Sequence, residues 1–282
     1  MLISRLVMAA VLVESTRMLR SKSLSLVPAV AALVIASCAV SSFDPNTGQV
    51  RTTAPSSSLV AQGTQAFDQM KKQKKISTNP TYQAQVQRVA ARLKSVIDIP
   101  NAKWEFVVFE DSVPNAFALP GGKVGVHTGL FQISQNDSGL AAVLGHEIAH
   151  VVLNHSQQRM NQATGVAIGT VVVDAILSAK GVDNTGRAAA ATGAAAVGTV
   201  GLILPYSRRA ELESDQLGAL YMARAGYNPQ EAVKLWERFA EWRSKQGGGE
   251  APEFLRTHPL DQTRIAKLKE FLPLAEREYK AR

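Results

Sequence analysis

The sequence predicts an α+β fold, predominantly helical, with a small β-sheet beside one long helix. Three observations predict it. Aromatic and β-branched runs of strand length cluster between Trp104 and His127. From Asn136 onward, helix caps and long apolar segments take over. The composition, 282 residues with 46% hydrophobic and 19% charged, is that of a globular chain and excludes wholesale disorder. The length fits one large domain better than two. A single cysteine, Cys38, rules out an internal disulfide and a tetra-cysteine metal site.

Of the formal charge of +8, Arg5, Arg17, Arg20 and Lys22 against Glu14 place +3 in residues 1–37. The remainder is modestly basic and has no basic helix with interleaved aromatics, so no nucleic-acid partner is expected. Arg20 and Lys22, the apolar stretch Leu24 to Ile35, and the small pair Ala36-Ser37 follow one another in the order of a secretory signal. The apolar stretch falls short of the ~20 residues that cross a bilayer. Residues 1–37 are therefore expected to be a signal peptide. Leu6 to Val13 is a second apolar run that such a signal does not need, so translation is expected to start at Met18. Ile35-Ala-Ser-Cys38 resembles the bacterial lipobox. That resemblance implies lipidation of Cys38 and, with Ala39 following, anchorage in the outer membrane on the periplasmic side of a bacterial envelope. Residues 38–64 are then a lipid-anchored flexible linker, because Ser41 to Leu59 is rich in Ser, Thr, Pro, Asn and Gly without periodicity.

Residues 65–282 form the expected domain. The Met70–Lys75 basic run reads as a solvated helix face. Pro80 opens an amphipathic helix carrying Val86, Val89, Leu93 and Val96 at helical spacing. Trp104–Phe109 reads as a strand, and Ala116–Ala118 and Lys123–His127 as two short extended pieces around Pro120-Gly121-Gly122. Asn136, Asp137 and Ser138 offer caps for a helix running to about Met160. Residues 164–206, rich in Ala, Gly, Val and Thr, read as a closely packed helical hairpin; Asp174 argues against a membrane crossing. Helices over Ala210–Ala225, Pro229 to about Lys245, and Asp261–Lys280 complete the chain.

The strongest chemical signal is His146-Glu147-Ile-Ala-His150 inside the long helix. Positions 146 and 150 lie one turn apart on one face, where two imidazoles can bind one Zn²⁺ with Glu147 beside them. A structural zinc site with four Cys or His ligands is hard to assemble here. His155 follows His150 by five residues, so helical geometry turns it to another face or to the surface. Glu211 and Asp215, four apart, share a face of a later helix. A carboxylate completing a two-His, one-Glu site leaves a position open, a catalytic arrangement; the bland alternative is a solvated acidic face, and Glu213 is read as that.

With these residues in hand, the chain resembles the zinc metallopeptidase family of the HtpX heat-shock proteases and CAAX prenyl proteases, of gluzincin type, and within it the soluble periplasmic lipoprotein branch. The likeness covers about residues 65–275. It rests on His146-Glu-Ile-Ala-His150, Ser207-Arg-x-x-Glu211-x-x-x-Asp215, Asn115-Ala-Phe-Ala-Leu-Pro-Gly-Gly122, and His258-Pro259 followed by Arg264-Ile265. The resemblance implies a zincin-like fold, one Zn²⁺ per chain on His146, His150 and Glu211, and Asp215 as a supporting partner. It further implies that Asn115, Ala116, Phe117 and Ala118 line the cleft and pair with substrate backbone, and that His258 and Arg264 lie over the site. Without it, His258-Pro259 reads only as a turn leading into a helix. The many membrane spans of the prenyl proteases are not expected here, nor is a C-terminal helical repeat after Arg264.

The expected activity is zinc-dependent endopeptidase cleavage of unfolded or misfolded envelope proteins, with Glu147 taking the proton of an activated water and His258 stabilising the oxyanion. The competing reading is a membrane-tethered chaperone or assembly factor that holds such clients without cutting them.

Overall fold

The computed structural model describes residues 41–97, 99, 102–161, 206–247, 251–260 and 262–279. The chain divides into two units, Met1–Ala39 and Val40–Arg282, and all described elements belong to the second. The signal, Met18 and Cys38 expectations lie outside the described residues, as does the Ala/Gly hairpin apart from Tyr206. The rest is mostly helical with small sheets, as the sequence predicts. Among the described residues no helix is long and apolar enough to cross a membrane.

The first described residues differ from the expected linker. β1 (Ser42–Asp44) and β2 (Gln49–Arg51) form an antiparallel hairpin with Ser42 opposite Arg51. Asp44 closes its turn by accepting from the Asn46 N–H at 2.9 Å and the Thr47 hydroxyl at 3.0 Å. Phe43 is buried edge-on against Phe271. Strands of three residues are too short for period-two alternation to show, and the contact that holds this one comes from the far end of the chain. Helix α1 (Ser57–Gln73) then starts inside the supposed linker, capped by the Ser56 hydroxyl accepting from Leu59 N. Its basic end is not a purely solvated face, for Lys71 pairs with both Asp68 and Glu105.

Helix α2 (Pro80–Lys94) begins with Asn79 as cap and Pro at its first position, and buries Val86, Val89, Ala90 and Leu93. Strands β3 (Glu105–Phe109), β4 (Ala116–Leu119) and β5 (Lys123–His127) form a sheet in the order β3-β5-β4, with β3 parallel and β4 antiparallel to β5. The His127 N–H donates to Asn115 O at 2.9 Å. By antiparallel alternation, Ala116 and Ala118 therefore turn their N–H and C=O away from β5. Pro114 and Pro120 flank them in the same alternation.

A short helix α3 (Phe131–Ser134) leads to α4 (Asp137–Val152), capped by Asn136 accepting from Gly139 N at 2.8 Å. α4 is buried almost all round, with Leu140, Val143, Leu144 and Ile148 in the core. It ends earlier than expected. Asn154 adopts φ 53°, and helix resumes over residues 155–161 on a new course. Asn tolerates this left-handed backbone, and its side-chain amide is tied to Thr53 O and, at 3.3 Å, to Ser41 Oγ beside the N-terminal hairpin.

Helix α5 (Arg208–Arg224), capped by Ser207, lies directly on α4. Gly145 and Gly218 meet at the crossing: a Cβ on Gly218 would lie 2.7 Å from His146 N. The two backbones approach closely because neither position carries a side chain. Helices α6 (Gln230–Lys245), α7 (Glu253–Thr257) and α8 (Gln262–Glu278) complete the core, α8 against α5 and α6 against α4. α7 was not anticipated; its five residues are too few for a periodic signal.

Candidate metal centre

α4 and α5 cross so that His146, His150 and Glu211 converge. His146 Nε2 and His150 Nε2 are 3.1 Å apart, His150 Nε2 lies 3.3 Å from Glu211 Oε1, and His146 Nε2 lies 3.6 Å from Glu211 Oε2. A tetrahedral zinc with bonds of ~2.0–2.1 Å separates its ligand atoms by about 3.3–3.4 Å, so the triangle has the size the ion requires. His258, which follows α7, brings Nδ1 to 3.0 Å from Glu211 Oε1 and 3.2 Å from His146 Nε2. Donor atoms of all four residues lie within 4.8 Å of one another. All four side chains are buried.

Electrostatics suit a cation. Burial pushes His150 well below its usual pKa, so the imidazole stays neutral with a lone pair to give. Burial alone would raise Glu211, but the adjacent His258 and His150 outweigh it and hold the carboxyl well below the usual range. Asp215 is likewise penalised by burial and rescued by Arg264 and His146, with a net downward shift. Arg264 donates from Nε to Asp215 Oδ2 and from Nη2 to Asp215 Oδ1, each at 2.8 Å, and its Nη1 lies 2.8 Å from Glu211 Oε2. Asp215 Oδ1 in turn lies 3.0 Å from His146 Nδ1 and accepts from Trp236 Nε1 at 3.1 Å. A ligand imidazole backed by a carboxylate is a recurring way to fix its tautomer.

Glu147 sits beside the triangle, buried, with burial raising its pKa. Ala118 of β4 is close enough to temper that rise, and Glu147 Oε1 is 3.3 Å from His258 Nε2. His258 is pulled down by burial but lifted further by Glu211 and Glu147, and ends above its ordinary value.

The structure thus brings together His146, Glu147, His150, Glu211, Asp215, His258 and Arg264, all singled out in the sequence. Ala116, Phe117 and Ala118 form β4 beside α4. Asn115 is buried, and its side chain donates to Glu253 Oε2 at 3.2 Å. Two readings are corrected. His155 is not a surface residue: it is buried with Nδ1 2.9 Å from His150 Nδ1, because the break at Asn154 cancels the helical phase that would have turned it away. Glu213 is not merely solvated, since it meets His155 and Arg209. Tyr206 and Trp236 were missed. The Tyr206 ring centre lies 4.0 Å from that of His150, and Arg159 covers the Tyr206 ring at 4.0 Å. The Asn before His155 was the one sequence signal that the helix phase could change there.

Two imidazoles one turn apart, a carboxylate from a crossing helix and a free acid beside a sheet edge define the class: a gluzincin-type metal centre on an α+β scaffold. The profile of Peptidase family M48 matches residues 80–272, and the chain belongs to that family. The family's metal is zinc, and the donor set found here fits it. The chain is 38% identical over 191 residues to the mitochondrial metalloendopeptidase OMA1 of Schizosaccharomyces pombe, covering 68% of this chain and 53% of that protein. Against the OMA1 of Saccharomyces cerevisiae it is 35% identical, covering 63% and 49%. Against the beta-barrel assembly-enhancing protease of Escherichia coli it is 31% identical over 195 residues, covering 67% and 38%. The chain spans about half or less of the length of these relatives.

These relatives overturn the expected address. The relatives at 38%, 35% and 32% identity are mitochondrial proteins of two yeasts and a plant, and the bacterial protease matches less well, so residues 1–37 do not establish a bacterial outer-membrane location. A cationic start followed by an apolar run is a local pattern, and basic, acid-poor leaders also precede mitochondrial proteins.

Proposed function

We propose that this chain is a zinc-dependent endopeptidase acting on unfolded or misfolded protein segments. The observation that carries the reading is the buried Glu147 carboxylate, held beside the His146–His150–Glu211 triangle with its pKa raised by burial. His146, His150 and Glu211 hold the ion, which when bound supplies the Lewis acidity that lowers the pKa of water from ~15.7 toward ~7 and polarises a carbonyl. Glu147 accepts the proton of the attacking water and passes it to the leaving amine, a role suited to a carboxyl whose pKa lies above the ordinary. His258, whose Nε2 lies 3.3 Å from Glu147 Oε1, donates a ring N–H toward the developing oxyanion. Asp215 and Arg264 orient His146 and Glu211.

Substrate adds to β4 as an extended strand, using the backbone groups of Ala116 and Ala118. Recognition through backbone favours chains that expose extended segments, which folded proteins do not. The test is chelator-sensitive degradation of an unfolded casein-like protein by the wild type and by Glu147→Gln. The variant is expected to keep zinc and lose cleavage; normal turnover in the zinc-loaded variant rejects Glu147 as the base.

A further inference from the structure

The two ligand imidazoles are backed by different devices. His146 Nδ1 faces the Asp215 carboxylate directly, at 3.0 Å. His150 Nδ1 instead lies 2.9 Å from the Nδ1 of His155. His155 is buried; its Nε2 lies 3.4 Å from Glu213 Oε2, and Glu213 Oε1 accepts from Arg209 Nε at 2.8 Å. Ser214 Oγ stands 3.3 Å from His155 Nδ1. We propose that His155 is a positioning residue for the metal centre, an imidazole inserted between Glu213 and His150 that fixes the tautomer and ring orientation of His150.

Proton counting gives the arrangement its direction. His150 turns Nε2 into the donor triangle, so its proton resides on Nδ1. That N–H donates to His155 Nδ1, which must then be the unprotonated nitrogen. The His155 proton is left on Nε2 and donates to Glu213, a carboxylate that can only accept. Each link admits one tautomer, and together they aim the His150 lone pair at the ion. Metal-bound imidazoles need such partners, and losing one typically costs ~10–100-fold in metal affinity or activity.

The backbone places His155 there deliberately. In an unbroken helix a residue five positions on lies about 140° around the axis from His150. The left-handed Asn154 removes that offset, and its amide is fastened to Thr53 and Ser41. The N-terminal hairpin thus steadies the residue that steadies the ligand.

The inference rests on the metallopeptidase reading, and zinc affinity separates the two. Zinc binding to the full chain is measured by competition with a chromogenic chelator, and the cobalt-substituted protein gives an absorption spectrum sensitive to ligand geometry. His155→Leu, which removes the acceptor facing His150, is expected to weaken zinc ~10–100-fold and to alter the cobalt spectrum. His155→Gln, whose amide oxygen accepts from His150 and whose NH₂ donates to Glu213, is expected to recover most of the loss. Glu213→Gln is expected to lose less than His155→Leu and, being near the surface, tests the same chain if His155→Leu fails to fold. Wild-type affinity in both His155→Leu and Glu213→Gln overturns the inference, as does an equal loss in His155→Leu and His155→Gln, which would mark a packing role alone. A wild-type chain that binds no zinc overturns the metallopeptidase reading and this inference together.

Discussion

The crossing of α4 and α5 makes Gly218→Ala a sharp test of how the metal centre is held. A Cβ at Gly218 would stand 2.7 Å from His146 N, 2.9 Å from Gly145 C and 3.0 Å from His146 Cα, all backbone atoms that cannot rotate aside. Ordinary contact begins at 3.4 Å, so the helices must part by about 0.7 Å, the difference between the two distances. Overpacking of this kind costs about 1–3 kcal/mol, against which the better helix propensity of Ala returns about 1 kcal/mol. The net loss of folding stability is therefore expected to be only about 0–2 kcal/mol. The site suffers more. Glu211 and Asp215 lie about two turns and one turn before Gly218 on the same helix, so the separation moves both away from His146 and His150. Misplacement by ~1 Å in a catalytic constellation can cost ~10²-fold. Zinc affinity by chelator competition, a chemical-denaturation midpoint and casein cleavage should be measured side by side. The expected pattern is a modest midpoint shift with a disproportionate loss of zinc affinity and turnover. Full zinc affinity and full turnover in Gly218→Ala would refute the claim that the glycine contact sets the donor spacing.

Glu211→Ala should abolish stoichiometric zinc binding, with Glu211→Gln as the isosteric control; metal content by mass spectrometry at the wild-type level would remove Glu211 from the ligand set. Ser207→Ala removes the hydroxyl that accepts from Ala210 N at 3.1 Å and should lower stability by about 1 kcal/mol, with Ser207→Thr largely neutral in urea melts. His127 is held below the ordinary histidine value of 6.5 by burial, against the opposing pull of Asp111. The unfolded chain therefore takes up this proton before the folded one, and stability present above pH 6.5 falls as pH drops through and below that value. His127→Gln should make the loss between about pH 7 and 5 shallower; an identical slope in wild type and variant would contradict the assignment.

The chemistry was legible where local spacing carries it. His146 and His150 announce themselves by one helical turn, and Glu211 with Asp215 by another, because a pair spaced along one helix needs nothing from elsewhere in the chain to be noticed. The sheet was legible for the same reason: Glu105–Phe109 and Lys123–His127 are apolar enough to read alone. What escaped depends on distant partners. The β1–β2 hairpin is secured by Phe43 on Phe271 and by Asn154, contacts that no window of sequence contains. His155 was misplaced because periodicity assumes an unbroken helix, and one Asn in a left-handed conformation resets the phase. Tyr206 and Trp236 looked like ordinary core aromatics; only the folded chain shows one against His150 and the other donating to Asp215.

Among the described residues β4 has one hydrogen-bonded neighbour, and the prolines at 114 and 120 bound the stretch that a second could use. Neither proline offers an N–H, so a ladder begun at Ala116 and Ala118 stops within a few residues in either direction. A sheet rim that admits a brief visitor but will not let pairing spread is protected against stacking with further copies of itself. On the proposed strand-addition reading, the same two rings would limit both the grip on a client and polymerisation through that edge.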